Sequence, residues 1–318
     1  MQALPIAHVE VKAPATASLG AGYPTAVFCW LLSAGVYIAA KWVAPEMPPW
    51  GLCFWRLTFA CLILLPVVHR HHGAMIALMK TRALEVIAVG AIGLTLCQGM
   101  IYTGLNHTNA TTAGIIMALS PVMTMVLARF ILGEPLGLWK AVGAIIALCG
   151  MALIIAHGNP AALAQLQFNA GELWIVGSAF CWGLYTVLLR RQKFGIELLP
   201  MVVLLLGAGA LIALPFHFVE LLYGERSTLH GNGILALAYM AGPGGALMYY
   251  LYNRSVESLG ASRASMLLYL QTVFVVILAY LFLGERLQDY DLMGAAFIIV
   301  GIVIATFIKP KPTVERAA

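Results

Sequence analysis

Charge is what this sequence has least of, and its scarcity excludes several classes of protein. Only 10% of the 318 residues are charged, against about a quarter in soluble domains. The only two aspartates, Asp289 and Asp291, share one predicted turn, which excludes the aspartate pair of an intramembrane aspartyl protease. The HExxH, CxxC and GxxxxGK spacings of zinc proteases, redox proteins and phosphate-binding loops are also missing. Nothing in the sequence therefore indicates an enzyme.

Apolar residues, by contrast, make up 62% of the chain. They recur in runs of about 18 or more, the length a helix needs to cross the roughly 30 Å hydrocarbon layer of a membrane. The six cysteines lie inside these runs without paired spacing and are predicted to be free thiols. The sequence therefore predicts an all-α membrane protein with ten transmembrane helices, at about 24–43, 50–68, 83–105, 110–132, 138–156, 171–189, 198–219, 234–252, 262–283 and 290–308.

The second half of the sequence repeats the first. Residues 110–156 and 261–307 align without a gap at an offset of 151 and share 13 of 47 positions. Such a fixed period is typical of a duplicated architecture. Each half holds five predicted helices, and because five is odd the second half must enter the membrane from the opposite side. We therefore predict two inverted five-helix repeats around a central cavity, with the chain divided into a tail 1–23, repeat 24–156, loop 157–170, repeat 171–308 and tail 309–318.

The distribution of basic residues predicts the orientation. Fourteen of the 18 Lys and Arg residues fall in the two tails and in the links after helices 2, 4, 6 and 8. Basic residues accumulate in cytoplasmic loops. We therefore expect a multi-pass protein of the plasma or inner membrane, with both termini in the cytoplasm.

Two motifs carry a family resemblance. Each half closes its fourth helix on LGE-x-L, at 132–136 and 283–287, and begins with an aromatic FCW, at 28–30 and 180–182. Over about 24–308 the chain resembles the drug/metabolite transporter superfamily, and its ten-helix EamA-type branch fits best. The resemblance implies export or exchange of small organic solutes, and the many aromatic residues are similar to those of the YddG-type aromatic amino acid exporters.

Polar and aromatic side chains inside the predicted helices are the candidate substrate-binding residues, because such groups face protein or water rather than lipid. Their alternative role is to hold helices together by hydrogen bonds. Ser120 and Gln271 occupy matching repeat positions and are expected to face each other across the axis between the halves. The full candidate set is Trp30, Ser33, Tyr37, Gln98, Tyr102, Ser120, Trp182, Tyr185, Tyr250 and Gln271.

Helix interruptions and hinges are predicted from glycine and proline. The Gly-Pro-Gly-Gly run at 242–245 predicts a break in helix 8, so Gly242, Pro243 and Gly244 are candidate hinge residues. Pro121 is the fourth-helix proline that the family resemblance implies. Thr272 stands at the matching position of the second half, which predicts an asymmetric hinge.

Three further residues are expected near membrane surfaces. Tyr252 is interpreted as an interfacial anchor. Lys41 and Arg56 are expected near the outer face, with their long side chains reaching the interface. The alternative for these two cations is a vestibule that meets a substrate carboxylate.

The expected activity is secondary transport. All 13 acidic residues lie at predicted helix ends, in loops or in tails, which favours a facilitator or exchanger over a proton-coupled carrier. An aromatic and amide lining suits neutral or aromatic amino acids, with lipophilic drugs or metabolites, or a structural or receptor role, as alternatives. We expect no cofactor, no metal and no nucleic acid, and the partners to be a small-molecule substrate and the lipid bilayer, in a monomer or weak homodimer.

Overall fold

The structure is a computed structural model that describes residues 19–108, 110–117, 119–134, 137–156, 159, 170–225, 227–283 and 288–307. Residues 1–18 and 308–318 of the predicted tails and most of the predicted loop 157–170 lie outside this set. All elements in the described part are helical. The α-helices are α1 (Leu19–Val43), α2 (Pro49–Leu64), α3 (His72–Gly90), α4 (Cys97–Leu105), α5 (Ala110–Met117), α6 (Ser120–Leu132), α7 (Leu138–Ile155), α8 (Ala170–Arg191), α9 (Leu198–Leu222), α10 (Gly231–Ala241), α11 (Met248–Leu259), α12 (Ala261–Met266), α13 (Tyr269–Leu283) and α14 (Asp289–Phe307).

Several of these helices are long and apolar enough to cross a membrane. Among the described residues six helical spans meet that length and composition: Gly22–Val43, Pro49–Leu105, Ala170–Arg191, Leu198–Leu222, Gly231–Leu259 and Ala261–Phe282. Three shorter apolar helices accompany them, at Ser120–Leu132, Leu138–Gly150 and Leu292–Ala305.

The span Pro49–Leu105 is 57 residues long, far more than the roughly 20 residues of one crossing. It turns back through a 3₁₀ segment, Leu65–His71. The Cys53 thiol, in α2, lies 3.7 Å from the carbonyl oxygen of Thr95, a residue that follows the turn. A Cβ built on Gly99 would lie 2.2 Å from the Trp50 ring. These two contacts run in opposite order along the chain, so α2 and α4 are antiparallel.

Glycines bring α7 and α14 into close contact. A Cβ built on Gly143 would lie 2.4 Å from the carbonyl oxygen of Gly301, and one on Gly150 would lie 2.5 Å from that of Gly294. Small residues allow helix backbones in membranes to approach closely. Gly143 and Gly294 are repeat-related, as are Gly150 and Gly301, so the two contacts are equivalent and the repeat-related helices pack antiparallel.

Other helices also pack against each other. α2 packs against α9, α1 packs against α11 and α13, and α8 packs against α4 and α6. Glu134, in the first LGE segment, accepts a hydrogen bond of 2.5 Å from the Ser262 hydroxyl at the start of α12. The interior of the bundle therefore lies between helices from both halves of the sequence.

The prediction that helix 8 breaks at residues 242–245 is wrong, because the segment is irregular but still helical. The chain stays helical from α10 to α11 through a π-helical segment, Gly242–Leu247, which contains Gly242, Pro243 and Gly244. A second π-helical segment, Ala91–Leu96, joins α3 to α4, and it precedes the first by 151 residues, the offset of the sequence repeat. A π turn accommodates an extra residue without ending the helix, and such turns are frequent at functional sites.

The α-helices also end and restart within a few residues in each half, and at both places the backbone keeps i→i+3 hydrogen bonds, from the Leu119 N–H to the Ile116 carbonyl oxygen and from the Leu268 N–H to the Ser265 carbonyl oxygen. α5 ends at Met117 and α6 begins at Ser120, with Pro121 in its first turn. α12 ends at Met266 and α13 begins at Tyr269, although no proline follows there. Helix ends do not test a hinge, so the asymmetric hinge expected from Pro121 and Thr272 stays a prediction.

Candidate functional site

A central cavity lies between α1, α2, α4, α5, α8, α11 and α13. Its volume is about 40 Å3, which is room for only a few water molecules, so the lining residues must move apart before a solute can bind. Seven of the ten candidate substrate-binding residues line it: Trp30, Ser33, Tyr37, Gln98, Tyr102, Trp182 and Gln271. The other lining residues are Val36, Ala40, Arg56, Ile101, Leu105, Met117, Met248 and Leu268.

Four aromatic rings, those of Trp30, Trp182, Tyr185 and Tyr252, form the aromatic floor of the cavity. The centroids of the Trp30 and Trp182 rings are 6.2 Å apart at an interplanar angle of 65°. Tyr252 packs behind both, 5.4 Å from Trp30 and 4.7 Å from Trp182. Edge-to-face and tilted pairs of this kind stabilise beyond the area that they bury. The two indoles of the repeated FCW segments therefore meet at one end of the cavity.

Both indole N–H groups in this floor lack hydrogen-bond partners. Trp30 and Trp182 are almost fully buried, and neither Nε1 atom has a partner among the described residues. A buried donor left unpaired costs about 1–3 kcal/mol. Both side chains line the cavity, so these unpaired donors belong to residues of its wall.

The Arg56 side chain was expected to reach the membrane interface, and that interpretation is wrong. Its side chain is only 1% exposed and lines the cavity. Nη1 donates to Gln98 Oε1 at 2.7 Å and to the Tyr102 hydroxyl. The guanidinium carbon lies 5.5 Å from the centroid of the Tyr249 ring, a cation–π distance. Arg56 thus places a positive charge in the wall of the cavity.

The same guanidinium also binds the π-helical segment of the second half. Nε donates to the Met240 carbonyl oxygen at 3.0 Å, and Nη2 donates to the Gly244 carbonyl oxygen at 2.6 Å. Pro243 has no N–H, and a π turn disturbs the regular ladder of helix hydrogen bonds. Arg56 satisfies carbonyls at this irregular place and connects α2 to both π-bearing helices.

One sequence signal could have identified Arg56. It lies seven residues after Pro49, about 10 Å into the helix at 1.5 Å per residue. That depth is more than its side chain can span to reach water. Lys41, by contrast, is half-buried at the end of α1, where Nζ donates to the carbonyl oxygens of Leu105 and Thr108 at 3.2 and 3.1 Å. Lys41 therefore binds carbonyl oxygens at and just after the end of α4, and it does not line the cavity.

Three predicted site residues lie elsewhere. Ser120 is fully buried in α6, and its hydroxyl has no partner among the described residues, so only Gln271 of the expected facing pair reaches the cavity. Tyr185 is buried in the floor, with its hydroxyl 3.0 Å from Asn253 Nδ2, which donates to it. Tyr250 is half-buried on α11, where Arg254 donates to its hydroxyl at 3.4 Å.

Tyr252 was expected as a surface anchor, and that interpretation is also wrong. Its side chain is fully buried, and its hydroxyl shares a hydrogen bond with the Thr186 hydroxyl. Helix α11 continues seven residues beyond it, to Leu259, so Tyr252 lies well inside the bundle rather than at a helix end. The sequence analysis ended helix 8 at residue 252, and this early end caused the error.

A second polar cluster, which sequence reasoning did not single out, joins α2 to α9. The carboxylate of Glu220 accepts hydrogen bonds from the backbone N–H groups of Trp50 at 2.8 Å and Gly51 at 2.7 Å. These are two of the N-terminal donors of α2, which have no partner within their own helix. Glu220 therefore caps α2 from another helix, with His217 3.7 Å away.

These features define a class of protein. The described residues contain no group of three or more His, Cys, Asp or Glu side chains that could hold a metal ion. What they do contain is a bundle of apolar helices, several long enough to span a bilayer, around an internal cavity with aromatic, amide and guanidinium groups in its wall. The protein is a multi-pass helical membrane protein with a small central cavity.

Sequence comparison identifies the family. Residues 20–156 and 169–307 match the EamA-like transporter family, so the chain belongs to that family. It is 27% identical over 296 residues to the uncharacterized transporter YyaM of Bacillus subtilis, covering 91% of this chain and 95% of that protein. It is 29% identical over 253 residues to the uncharacterized inner membrane transporter YicL of Salmonella typhimurium, covering 78% of this chain and 82% of that protein.

A solved crystal structure shares the fold. It superposes with a TM-score of 0.71 at 19% sequence identity, over 92% of this chain and 97% of the other. The predicted family resemblance is confirmed at the level of the EamA-like transporters, which are not enzymes. The protein is therefore a membrane transporter of small solutes.

Proposed function

We propose that this transporter exports or exchanges neutral or aromatic amino acids, or closely related metabolites, across the cell membrane by alternating access. The observation that carries the proposal is the cavity wall, where indole and phenol rings stand beside the amides of Gln98 and Gln271. Aromatic faces bind aromatic or apolar solute bodies. Amides act as both donor and acceptor toward their polar groups.

The proposed architecture is ten transmembrane helices in two inverted five-helix repeats, 24–156 and 171–308. The antiparallel contact of Gly143 with Gly301 supports it, because repeat-related helices that run in opposite directions require inverted halves. The offset of 151 residues between the two π-helical segments supports it independently. Alternating access then arises when one half rocks against the other around the shared cavity.

The proposed orientation puts both termini in the cytoplasm. It rests on the 14 of 18 basic residues assigned to one face of the bundle. In this orientation the aromatic floor lies between the cavity and the cytoplasm, and Lys41 lies at the outer end of α1. We further propose that the protein works as a monomer or weak homodimer, since each chain has its own cavity.

A lipophilic drug or metabolite is the second candidate solute. It is favoured by the apolar part of the wall, formed by Val36, Ile101, Leu105, Met117 and Leu268. Such a solute would use these side chains and the rings, and would have no need of the amides. Replacing Gln98 therefore separates the two candidates.

The test is uptake into liposomes that contain the purified protein. A panel of radiolabelled amino acids is offered, with unlabelled lipophilic amines and metabolites as competitors. We expect saturable uptake of aromatic or neutral amino acids, and a fall of about tenfold in Gln98→Ala. Gln288→Ala, at an exposed residue outside the cavity lining and immediately before α14, is the matched control and should transport normally. Uptake of lipophilic compounds alone, unchanged in Gln98→Ala, would contradict the proposal.

A further inference from the structure

We propose that the cavity binds a carboxylate, with Arg56 as its counter-charge and the indole N–H groups of Trp30 and Trp182 as additional donors. This inference rests on the proposed function and specifies its substrate class. It requires a carboxylate on the solute and does not require an ammonium group.

The first argument is the balance of charge. Among the described residues the ion pairs join His71 with Glu197, Arg82 with Glu85, and His217 with Glu220. None of them includes Arg56, and the lining of the cavity contains no Asp or Glu. A buried charge is costly unless it is paired. The nearly fully buried guanidinium therefore lacks an anion, and a solute carboxylate supplies one.

The second argument is the balance of donors and acceptors. A guanidinium has five N–H donors and no acceptor, and an indole has a single donor. Arg56 uses four N–H groups if each of its four hydrogen bonds takes a different one. Both indole N–H groups are unpaired. The wall thus has surplus donors, and a carboxylate, which accepts only, matches that surplus.

The third argument concerns the opposite end of a zwitterionic solute. A substrate ammonium would need acceptors, and a carboxylate in the wall would be the strongest. The lining of the cavity contains no carboxylate. Gln271 is the nearest equivalent, and its Oε1 already accepts from the Ser33 hydroxyl, at a long 3.4 Å. The wall is therefore built to hold the anionic group of its solute more strongly than the cationic group.

A purely structural role for Arg56 is the competing explanation, because it also binds the carbonyl oxygens of Met240 and Gly244. The two explanations differ in solute selectivity. A structural Arg56 would affect stability and the uptake of all solutes alike. An Arg56 that binds carboxylate would affect only those solutes that have one.

The experiment compares four labelled probes in liposomes with wild-type protein: 3-phenylpropanoate, L-phenylalanine, L-phenylalaninamide and phenethylamine. The first two have a carboxylate, and the last two lack one. We expect the two carboxylates to be taken up at least about tenfold faster than the amide and the amine. Equal uptake of all four would overturn this inference and leave the proposed function standing, whereas uptake of none would contradict both.

Variants then assign the preference to Arg56. In Arg56→Gln the preference for carboxylates should fall to about threefold or less, and Arg56→Lys should retain only part of it, because the charge remains but the planar fork of donors is lost. The ratio of probes is measured within one preparation, so a lower yield of folded protein does not affect it. Arg190→Gln, at an exposed arginine that donates to the Glu257 carbonyl oxygen, is the matched control. An unchanged ratio in Arg56→Gln would overturn the assignment.

If Arg56→Gln does not fold, Trp30→Phe with Trp182→Phe provides a second test. This double substitution keeps two aromatic rings and removes both N–H donors. Uptake of 3-phenylpropanoate should fall by about threefold or more, while uptake of phenethylamine should stay within twofold of wild type. Equal losses for the two probes would contradict a role of the indole donors.

Discussion

Trp30 and Trp182 meet edge to face at the floor of the cavity, with ring centroids 6.2 Å apart. They are the tryptophans of the two FCW segments, one from each half of the chain. In the proposed inverted repeat, two equivalent residues touch near the axis that relates the halves. Both halves of the sequence contribute to the floor of the cavity.

This contact leads to the first prediction. Trp30→Ala or Trp182→Ala removes one ring of the pair and should reduce uptake by about tenfold or more, since a buried aromatic ring is lost from the wall. Trp174→Ala, on the same helix as Trp182 but 42% exposed, is the matched control and should transport normally. Normal transport by both floor variants would show that these rings only pack.

The second prediction concerns the glycine contacts of α7 and α14. Gly143→Ala and Gly301→Ala each place a Cβ within 2.4–2.5 Å of the opposing backbone and should destabilise the protein by about 1–3 kcal/mol. Gly207→Ala is the control, because its Cβ would lie an ordinary 3.6 Å from the Cys61 thiol. Thermal unfolding in detergent measures the difference. A Gly207 variant as unstable as the other two would refute the close-contact explanation.

The third prediction concerns the cap that Glu220 forms on α2. Glu220→Ala removes the acceptor of two backbone N–H groups and should lower stability by about 1–2 kcal/mol. Glu225→Ala, an exposed acid five residues further along, should have little effect on thermal unfolding. An equal loss in both variants would indicate a general effect of charge at this end of the bundle.

The fourth prediction is the orientation. Single cysteines are introduced at Arg70 and at Ser227, both exposed, in a variant that lacks the six native cysteines. In intact cells an impermeant thiol reagent should label Ser227→Cys and not Arg70→Cys. Arg70→Cys should react once the membrane is permeabilised. The reverse pattern would overturn the proposed cytoplasmic termini.

The fifth prediction concerns energy coupling. The lining of the cavity contains no Asp, Glu or His, and proton-coupled carriers use groups that titrate within the membrane. Liposomes without a pH gradient should therefore equilibrate substrate at a rate close to that seen with a gradient. Accumulation that depends on an imposed gradient would contradict a facilitator or exchanger. The buried His217 and Glu220 would then be the groups to replace first.

The sequence predicted those parts of the fold and site that depend on a regular period. The offset of 151 residues identified the duplication, and α-helical spacing placed Trp30, Ser33 and Tyr37 on one face, where the structure has them. Arg56 and Tyr252 were misplaced because a linear pattern does not tell a lipid-facing side of a helix from a side packed against other helices. Their burial depends on contacts with helices about 40 to 220 residues away in the chain.

The π-helical segments also escaped sequence reasoning, because a search for α-helical periodicity assumes that each residue advances by about 100°. Gly-Pro-Gly-Gly signalled an irregularity in the second half but not its form. In the first half Ala91–Leu96 contains only ordinary helix-compatible residues and one glycine. Nothing in its composition distinguishes it from the helix on either side.

Each π-helical segment changes the angular position, around the helix axis, of the residues that follow it. The extra residue in the turn rotates everything that follows by about 100° relative to a regular α-helix. In α4 the rotated residues include Gln98 and Tyr102, and in α11 they include Tyr249. All three contact the Arg56 guanidinium, so its partners in both halves depend on this rotation. Deleting one residue from either segment would leave these side chains in the sequence but turn them away from the Arg56 guanidinium.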